Sequence, residues 1–194
     1  LPENTTVSGY VEIGSPGRYI SKLKKHVRIQ GPIYLINDHA PSYSVNDIVE
    51  RGQLRPIGRF IPMNNYAPIS PNDIADNSVE LVTCYIGLHH APLDRLTPFI
   101  DSIVRILRPG GHFILRDHDC HNDEMKQFCS LIHCVFNIGT QVSVEEDEQE
   151  LRYFRSITQW REILEKQGLQ GTEKQLLQDN DPSANTLMRF TKAE

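Results

Sequence analysis

The sequence predicts an α/β fold, in which a doubly wound, mostly parallel sheet of seven strands carries helices on both faces. Three observations predict it. Short apolar runs that suit buried strands alternate with segments whose apolar residues recur at helical spacing. Turns that contain glycine or proline separate these runs from one another. Strands that alternate with helices in this way form parallel sheets through right-handed crossovers, and the helices cover both faces.

The first half of the chain supplies four of the predicted strands. After the first strand, Ile20, Leu23 and Val27 have helical spacing, and Gly31-Pro32 is expected to end that helix. The second strand is wholly apolar until its last two residues. The third strand has less support from the sequence, because proline, here Pro62, is unfavourable inside a strand. These four strands are expected at residues 10–13, 33–38, 59–63 and 79–86.

A long amphipathic helix follows the fourth strand, and the turn RPGG at 108–111 is expected to stop it. A fifth strand at 112–115 ends at Arg116, and a second amphipathic helix comes next. The inward faces of these two helices are expected to carry Leu96, Phe99, Ile100, Ile103, Ile106 and Leu107, and then Met125, Phe128, Cys129, Ile132, Val135 and Phe136.

The last part of the chain begins with an acidic run at 145–150, which predicts an exposed loop. Thr158 is expected to cap a further helix and Gly168 to close it. Residues 186–192 alternate like a final strand, and Leu176-Leu177 is expected on its partner.

Length and composition favour one domain, residues 1–194, because 39% hydrophobic residues suffice for a real core. Since the chain opens on Leu1 rather than Met, we expect a domain cut from a longer chain, with another domain before it. The net charge of −5 gives no general attraction to a polyanion, so we expect no nucleic-acid or membrane binding without a local patch. The nearest to such a patch is the run Lys22, Lys24, Lys25 and Arg28, which is typical of a solvated helix face.

Cysteine usage favours a reducing compartment. Cys84, Cys120, Cys129 and Cys134 form no CxxC pair, and two of them have core-like helical positions. No apolar run approaches the ~20 residues of a membrane span, and the polar start LPENTTVSG lacks the layout of a signal peptide. We therefore expect a cytoplasmic protein.

Ligands of doubly wound sheets bind beyond the carboxyl ends of the strands, where the winding reverses. The informative polar residues of this chain fall at five such ends: residues 12–19, 37–39, 63–66, 84–90 and 116–120. These five segments are therefore the candidates for a binding site.

The turn after the first strand allows two interpretations. Gly14 and Gly17 let the backbone approach a ligand, and the start of the following helix attracts an anionic group. Pro16 removes one amide donor, and Arg18 adds bulk together with a positive charge. A plain connecting turn is therefore the alternative to a cofactor-binding loop.

Asp38, after the second strand, suits the two hydroxyl groups of a ribose, although NDHAP is also a good turn sequence. A nicotinamide cofactor is disfavoured, because GxGxxG would place glycines at positions 14, 16 and 19 and only Gly14 is present. The P-loop motif and the GxSxG elbow of serine hydrolases are absent as well.

Five segments, in this order and spacing, resemble the class I S-adenosylmethionine-dependent methyltransferases, especially the branch that methylates small molecules. They are VEIGSPGR, IND at 36–38, DNSVELVTCYIGLHH, ILRPGGHFILRD and FRSITQWREILEKQGL. The resemblance covers residues 8–192 and implies a Rossmann-like methyltransferase fold with S-adenosylmethionine as cofactor. The chain departs from the family pattern at Pro16 and Arg18, where glycine is usual. Motifs for amino methylation of nucleic acids and for cap ribose methylation are not apparent.

The resemblance also implies a set of cofactor-binding residues. Those of the first loop, which would wrap the methionine part, are Glu12, Gly14, Ser15 and Gly17. Asp38 would bind the ribose, and Asn64 or Asn65 would face the adenine. The segment from Cys84 to Gly87 would border the sulfonium and the substrate.

Methyl transfer depends mainly on positioning, and it needs a base only when the acceptor holds its proton tightly. The segment RDHDCHND offers His118 as that base, because Asp117 and Asp119 on either side of it could tune its protonation. The predicted catalytic residues are His118, Asp117 and His89, and His90 at the same strand end as His89 is a further rival. The alternatives are that the two carboxylates cap the next helix and that LHH is a structural turn.

The same segment raises the question of a metal ion, because imidazole and carboxylate groups suit zinc or a harder ion. The candidate ligands are His118, Asp119, His121 and Asp123. Neighbours in one loop more often point in different directions, so we expect no metal there. His133, four residues after Cys129 on one helix, is expected to form a core-edge pair with it.

The predicted function is therefore S-adenosylmethionine-dependent methyl transfer to an unidentified small-molecule or protein acceptor. The alternative is a degenerate methyltransferase-like domain that has lost catalysis, as Pro16 and Arg18 would explain, and that serves as an interaction or regulatory module.

Overall fold

The computed structural model describes residues 5–194, apart from the side chains of Asn46 and Glu50. Residues 1–4 lie outside the described residues. They include the beginning of the polar segment LPENTTVSG and of the predicted domain. Seven strands form one sheet in the order β3-β2-β1-β4-β5-β7-β6. They are β1 (Thr5–Ile13), β2 (Val27–Asn37), β3 (Arg59–Pro62), β4 (Val79–Tyr85), β5 (Leu107–His118), β6 (Leu169–Leu177) and β7 (Asn185–Lys192).

The sheet is mostly parallel, as predicted. Every neighbouring pair from β3 to β5 is parallel, whereas β7 runs antiparallel to both β5 and β6. The predicted pairing of Leu176-Leu177 with the last strand is confirmed, because Leu176 lies opposite Leu187. The strand order reverses between β1 and β4, and the carboxyl ends of these two strands therefore define the expected ligand crevice.

Six α-helices connect the strands within residues 5–194. They are α1 (Ile20–Leu23), α2 (Val45–Arg51), α3 (Leu93–Ile106), α4 (Asp123–Gly139), α5 (Val144–Gln149) and α6 (Ile157–Lys166), and a 3₁₀ helix covers Leu88–His90. None of the helices in this part of the chain has the length and apolar character needed to cross a membrane.

Two apolar clusters form the core. The larger contains Phe99 of α3 and Trp160 of α6, and the smaller contains Ile20 of α1 with Tyr10 and Leu35 of the sheet. The predicted inward stripe of α3 is confirmed, since its apolar residues are buried. Each fully buried Phe, Ile or Leu side chain contributes about 1.5–3 kcal/mol, so the periodic pattern of α3 strongly determines how this helix packs.

The predicted helix over Ile20, Leu23 and Val27 is wrong beyond its first turn. Helix α1 ends at Leu23, and Val27 is already the first residue of β2, opposite Thr5 of β1. Gly31-Pro32 does not end a helix but lies inside β2, where Gly31 takes a positive φ of 82° and the register with β1 shifts. The β-branched residues before this bulge pack better on a sheet than in a helix.

The acidic run at 145–150 was predicted as a loop, and this prediction is wrong. Most of the run lies in helix α5, which a capping box starts: Ser143 accepts from the Glu146 amide, and the Glu146 side chain accepts from the Ser143 amide. Arg152 pairs with Asp147 and with Glu150, the latter at 2.6 Å, and so neutralises part of the charge. Local capping and a cationic partner therefore outweigh like-charge repulsion.

Two predicted helix ends need correction. Helix α6 is capped by Ser156 rather than Thr158, because the Ser156 hydroxyl accepts from the Gln159 amide at 3.2 Å. The other end of α6 agrees with the prediction, because Gly168 lies just after the helix with a positive φ of 87°. The turn at 108–111 does not follow α3 directly, since Leu107 already begins β5 opposite Val79.

Helix α4 is confirmed, but its predicted buried face is largely wrong. Cys129 is fully buried, whereas Val135 is 61% and Phe136 63% exposed. The helix therefore buries only a narrow stripe, in which Cys129 lies against Cys120. Its remaining apolar side chains lie beside the candidate site or face solvent.

Candidate active site

A cavity of about 510 Å³ opens at the carboxyl edge of the sheet, beside the point where the strand order reverses. Gly14 and Ser15 of the β1 turn line one side of it, and Tyr85 and Arg116 follow from the ends of β4 and β5. Helix α4 lines the opposite side with Ile132, His133 and Phe136. The cavity therefore lies where the strand-end rule predicts a ligand.

Gly14 leaves the first turn open towards this cavity. Its φ is +78°, its amide donates to the carbonyl of Ile36 at 2.8 Å, and a β-carbon there would have no described heavy atom within 4 Å. Gly14 is exposed and Pro16 is buried, so the proline ring is packed inside the turn. No side chain of the described residues therefore fills the space directly above Gly14.

Glu12 shapes the turn from inside. It is 1% exposed and accepts hydrogen bonds from Tyr10 Oη at 2.9 Å and from the Ser15 hydroxyl. The Ser15 oxygen in turn accepts from the amides of Gly17 and Arg18, each at 3.2 Å. Burial raises the pKa of Glu12, although these hydrogen bonds partly oppose the increase. Of the four loop residues predicted to bind the cofactor, only Gly14 and Ser15 reach the cavity.

Gly17 has a packing role in this turn. It is buried with a φ of +96°, and a β-carbon there would lie 3.4 Å from Ile20 and 3.6 Å from Leu35. A larger residue would therefore press on the smaller core cluster. The close approach that glycine permits at position 17 is to the sheet rather than to the cavity.

The residues expected to face adenosine lie at the same edge of the sheet but outside the cavity lining. Asp38 follows β2 directly and is exposed. Asn64 and Asn65 have φ values of 50° and 53°, and their carbonyl oxygens accept from Arg95 at 3.1 and 3.0 Å. Both asparagine side chains are exposed. The structure thus aligns these three residues along the ends of β2 and β3.

Cys84 lies at the end of β4 but faces the core. It is 1% exposed, and burial raises the pKa of its thiol well above the ordinary value. Its sulfur lies beside Gly87, whose carbonyl accepts from Tyr66 Oη at 2.6 Å. Cys84 therefore supports the backbone that borders the cavity and does not line it.

An aromatic wall with a cationic group was not predicted. The rings of Tyr19 and Tyr85 meet edge to face at 4.5 Å, and the Arg116 guanidinium lies 5.8 and 5.4 Å from their centroids. Arg116 also donates to Tyr19 Oη at 3.2 Å. The signal in the sequence was only that all three fall within the strand-end segments. Nothing in a linear pattern indicated that they would touch.

Of the three predicted catalytic residues, His118 reaches the cavity, whereas Asp117 and His89 lie behind it. His89 Nδ1 lies 2.8 Å from Asp117 Oδ1, and both side chains are almost wholly buried. Burial alone would raise the pKa of Asp117, but the nearby His89 outweighs it, so the pKa is lowered. Asp117 is therefore ionised, and it orients His89.

His118 does not lie between two carboxylates as predicted. Asp117 accepts from its amide at 2.8 Å, but Asp119 turns away and accepts from the amide of Ile157 at 3.0 Å. The next helix is capped by Asn122 rather than by either aspartate. His118 Nδ1 donates to the carbonyl of Ser183 at 3.0 Å. Burial lowers the pKa of His118, but Cys129 and Asp117 outweigh it, so the pKa is raised.

The four candidate metal ligands of the loop do not converge. His121 is exposed, and its Nδ1 lies 3.3 Å from the backbone oxygen of Asp119. Asp123 forms an ion pair with Lys126 at 2.9 Å. His133 lies with His89, His90 and His118 rather than forming a pair with Cys129. Cys129 instead approaches Cys120, with 3.5 Å between the sulfur atoms.

A family model described as a methyltransferase domain matches residues 51–115, about a third of the chain. A search of curated protein sequences found no match.

Solved methyltransferase structures share the fold at low sequence identity. A putative methyltransferase from Bacillus halodurans is 16% identical, with a TM-score of 0.63 over 100% of this chain and 95% of that one. The N-methyltransferase NodS from Bradyrhizobium japonicum, in complex with S-adenosylhomocysteine, is 17% identical, with a TM-score of 0.61 over 97% and 80%. The 1,6-didemethyltoxoflavin-N1-methyltransferase of Burkholderia thailandensis, with bound 1,6-didemethyltoxoflavin and S-adenosylhomocysteine, is 13% identical, with a TM-score of 0.60 over 98% of this chain and 72% of that one. At these identities the likeness shows the fold.

Proposed function

We propose that this chain transfers a methyl group from S-adenosylmethionine to a small-molecule acceptor. The match of residues 51–115 to a methyltransferase-domain model and the fold shared with solved methyltransferases support the proposal. The observation that carries the proposal is the open space above Gly14 at the reversal of strand order, continuous with a cavity of about 510 Å³. Cavities of roughly 300–1,000 Å³ suit small molecules.

The cofactor would lie along the carboxyl ends of β1, β2 and β3. Asp38 would accept hydrogen bonds from the ribose hydroxyls, with Asn64 or Asn65 beside the adenine. Gly14 and Ser15 would contact the methionine part. Glu12 and Gly17 would hold the turn in shape, and the segment from Cys84 to Gly87 would hold the backbone next to the sulfonium.

The acceptor would occupy the remainder of the cavity, towards helix α4. Its nucleophilic atom attacks the methyl carbon, the carbon–sulfur bond breaks, and the electron pair stays on sulfur, which becomes a neutral thioether. An acceptor that begins as O–H, S–H or N–H gives up one proton. His118 lines the cavity and has its Nδ1 bound to a carbonyl, so Nε2 is the nitrogen that would take this proton, in exchange for its 3.3 Å contact with His133 Nε2.

A small-molecule acceptor is favoured over a protein side chain by the volume of the cavity, about 510 Å³. Helix α4 and the wall of Tyr19, Tyr85 and Arg116 line it on two sides. The Burkholderia thailandensis methyltransferase of the same fold has 1,6-didemethyltoxoflavin bound together with S-adenosylhomocysteine, which agrees with this choice. Residues 1–194 would form one methyltransferase-like domain. A cytoplasmic location stays a prediction.

Calorimetric titration of the full chain with S-adenosylhomocysteine tests the proposal, and we expect a dissociation constant in the micromolar range. Gly14→Asn should weaken binding at least about tenfold, because its side chain would enter the open space, a loss of about 1.4 kcal/mol. Gly110→Asn is the matched control: Gly110 also has a positive φ (+74°) and open space at its β-carbon, but it lies near the start of β5. Asparagine tolerates such φ values better than most residues.

Absence of binding at millimolar concentration would refute the proposal and favour the degenerate interaction module. Equal loss in both asparagine variants would show that backbone strain, rather than occupation of the site, caused the effect. That result would remove Gly14 from the binding site.

A further inference from the structure

Three histidines from two elements of the fold meet at one wall of the cavity. His89 and His90 come from the 3₁₀ helix after β4, and His133 comes from α4. The ring centroids are 4.1 Å apart for His89 and His90, 5.0 Å for His89 and His133, and 5.2 Å for His90 and His133. One ring nitrogen of each lies within 4.8 Å of those of the other two. We call these three residues the histidine cluster.

The Nδ1 atom of each imidazole in the histidine cluster lies near a protein oxygen. His89 Nδ1 donates to Asp117 at 2.8 Å, and His90 Nδ1 donates to the carbonyl of Leu151 at 2.8 Å. His133 Nδ1 lies 3.9 Å from a carboxylate oxygen of Glu150. Such outer partners fix the ring orientation and the tautomer of histidines that bind metals. In His89 and His90, whose Nδ1 atoms donate, Nε2 carries the free lone pair. His133 Nε2 lies 3.3 Å from His118 Nε2, and a metal ion would replace this contact.

The Nε2 atom of His89 is the strongest sign that something is bound here. His89 is 0% exposed, and its Nε2 has no hydrogen-bond partner among residues 5–194. A buried polar atom without a partner costs about 1–3 kcal/mol, and native proteins rarely tolerate it without a reason. The aromatic ring of Phe154, 5.0 Å away between centroids, offers no hydrogen-bond acceptor or donor for it.

We propose that His89, His90 and His133 bind one divalent transition-metal ion of the zinc class, and that the open coordination position of this ion faces the cavity. Three imidazoles with an open fourth position are a common ligand set for catalytic zinc, whereas magnesium and calcium prefer oxygen ligands. The metal site itself requires no S-adenosylmethionine. Its role towards the acceptor rests on the proposed function.

Two carboxylates next to the histidine cluster favour a bound cation. The Asp117 and Glu150 carboxylates lie behind the rings and compensate part of the charge of a divalent cation.

The distances require only small adjustments. Two nitrogens on one tetrahedral zinc, each at about 2.0–2.1 Å from it, are roughly 3.3 Å apart. The present limit of 4.8 Å can close through rotation about the last side-chain bond, which has a broad energy minimum in histidine. His90 and His133 line the cavity, and this movement would lengthen the contact of His90 with the Leu151 carbonyl and that of His133 with His118.

An ion in this place would assist methyl transfer by acting on the acceptor. An acceptor hydroxyl or thiol group on the open position loses its proton more easily, because the cation stabilises the anion. His118 Nε2, 3.3 Å from His133 Nε2, is next to this position and can take that proton. The acceptor lone pair then attacks the methyl carbon, and the carbon–sulfur pair remains on the cofactor sulfur.

The test measures metal binding by the full chain in the absence of cofactor. Protein treated with a chelator and then dialysed is titrated with Zn²⁺ in competition with a chromophoric chelator, and Co²⁺ absorption in the visible range reports coordination number. We expect one tight site per chain, with Co²⁺ four- or five-coordinate. His90→Ala and His133→Ala should each weaken it about 100-fold or more, while the exposed His121→Ala should not change it.

Two further variants keep the test decisive. Asp117→Asn preserves shape and should weaken binding about 10- to 100-fold through the orientation of His89, even if an alanine variant fails to fold. His118→Ala should retain the ion, and equal loss there would show a closed four-histidine site and overturn the open position. No tight site in the wild type, or unchanged binding in His133→Ala, would overturn the proposal. S-adenosylhomocysteine titration of the same variants separates this failure from failure of the proposed function.

Discussion

Asp38 provides the sharpest test of where the cofactor lies. Its carboxylate follows β2, is exposed, and makes no hydrogen bond to another described residue. Replacing it with alanine should therefore change the free energy of unfolding by no more than about 0.5 kcal/mol. Any larger effect on affinity must then come from the ligand.

The expected loss follows from the bonds that a ribose would make. Charge-assisted hydrogen bonds to the Asp38 carboxylate are worth about 1.5–3 kcal/mol, so Asp38→Ala should weaken S-adenosylhomocysteine binding by about 10- to 150-fold. Asp38→Asn keeps one acceptor oxygen and loses the charge, so its affinity for S-adenosylhomocysteine should lie between those of the wild type and Asp38→Ala. The assay is isothermal titration calorimetry at fixed ionic strength.

Asp101→Ala is the matched control, because Asp101 is an exposed carboxylate in the middle of α3. Its affinity should equal that of the wild type. Unchanged affinity in folded Asp38→Ala would remove Asp38 from the cofactor site. An equal drop in both variants would indicate a general effect of net charge.

Three other outcomes are expected. His118→Ala should lower kcat while S-adenosylhomocysteine affinity persists, and equal turnover would exclude His118 as the base. Glu12→Gln should become more stable relative to the wild type as the pH rises above about 4.5. The pKa of the buried Glu12 carboxyl is raised in the folded protein, so the folded wild type keeps its proton to higher pH than the unfolded chain does and loses stability as the pH rises. Urea unfolding at pH 5 and pH 8 measures this difference in stability between variant and wild type, and a difference that does not change with pH would contradict the prediction. Ser156→Ala should cost about 1 kcal/mol of stability through the lost cap of α6, whereas the exposed Thr158→Ala should cost no more than about 0.5 kcal/mol.

The elements with the strongest local pattern were predictable. Strand β4 is apolar on both faces because it lies in the middle of a parallel sheet, and α3 has a full apolar stripe because one side rests on that sheet. The weak elements were not. In α1 and the start of β2, Ile20, Leu23 and Val27 fit a helix by spacing, but pairing with β1 decided the outcome. Helix α5 formed because Ser143 and Glu146 cap it, although its composition resembles that of a loop.

Hydrophobic periodicity along the chain determined the α/β class, the order of the main elements and the sheet edge at which the polar segments lie. The reason is that the buried face of each helix or strand needs apolar residues at the period of that element, and this spacing is visible within one segment. Only the tertiary structure decided which of those polar side chains meet. It turned Glu12 and Cys84 inwards, moved Asp119 away from His118, and brought His133 of α4 to His89 and His90 after β4. The physical reason is that a side chain's direction depends on the packing of its element against others, and no spacing within one segment carries that information.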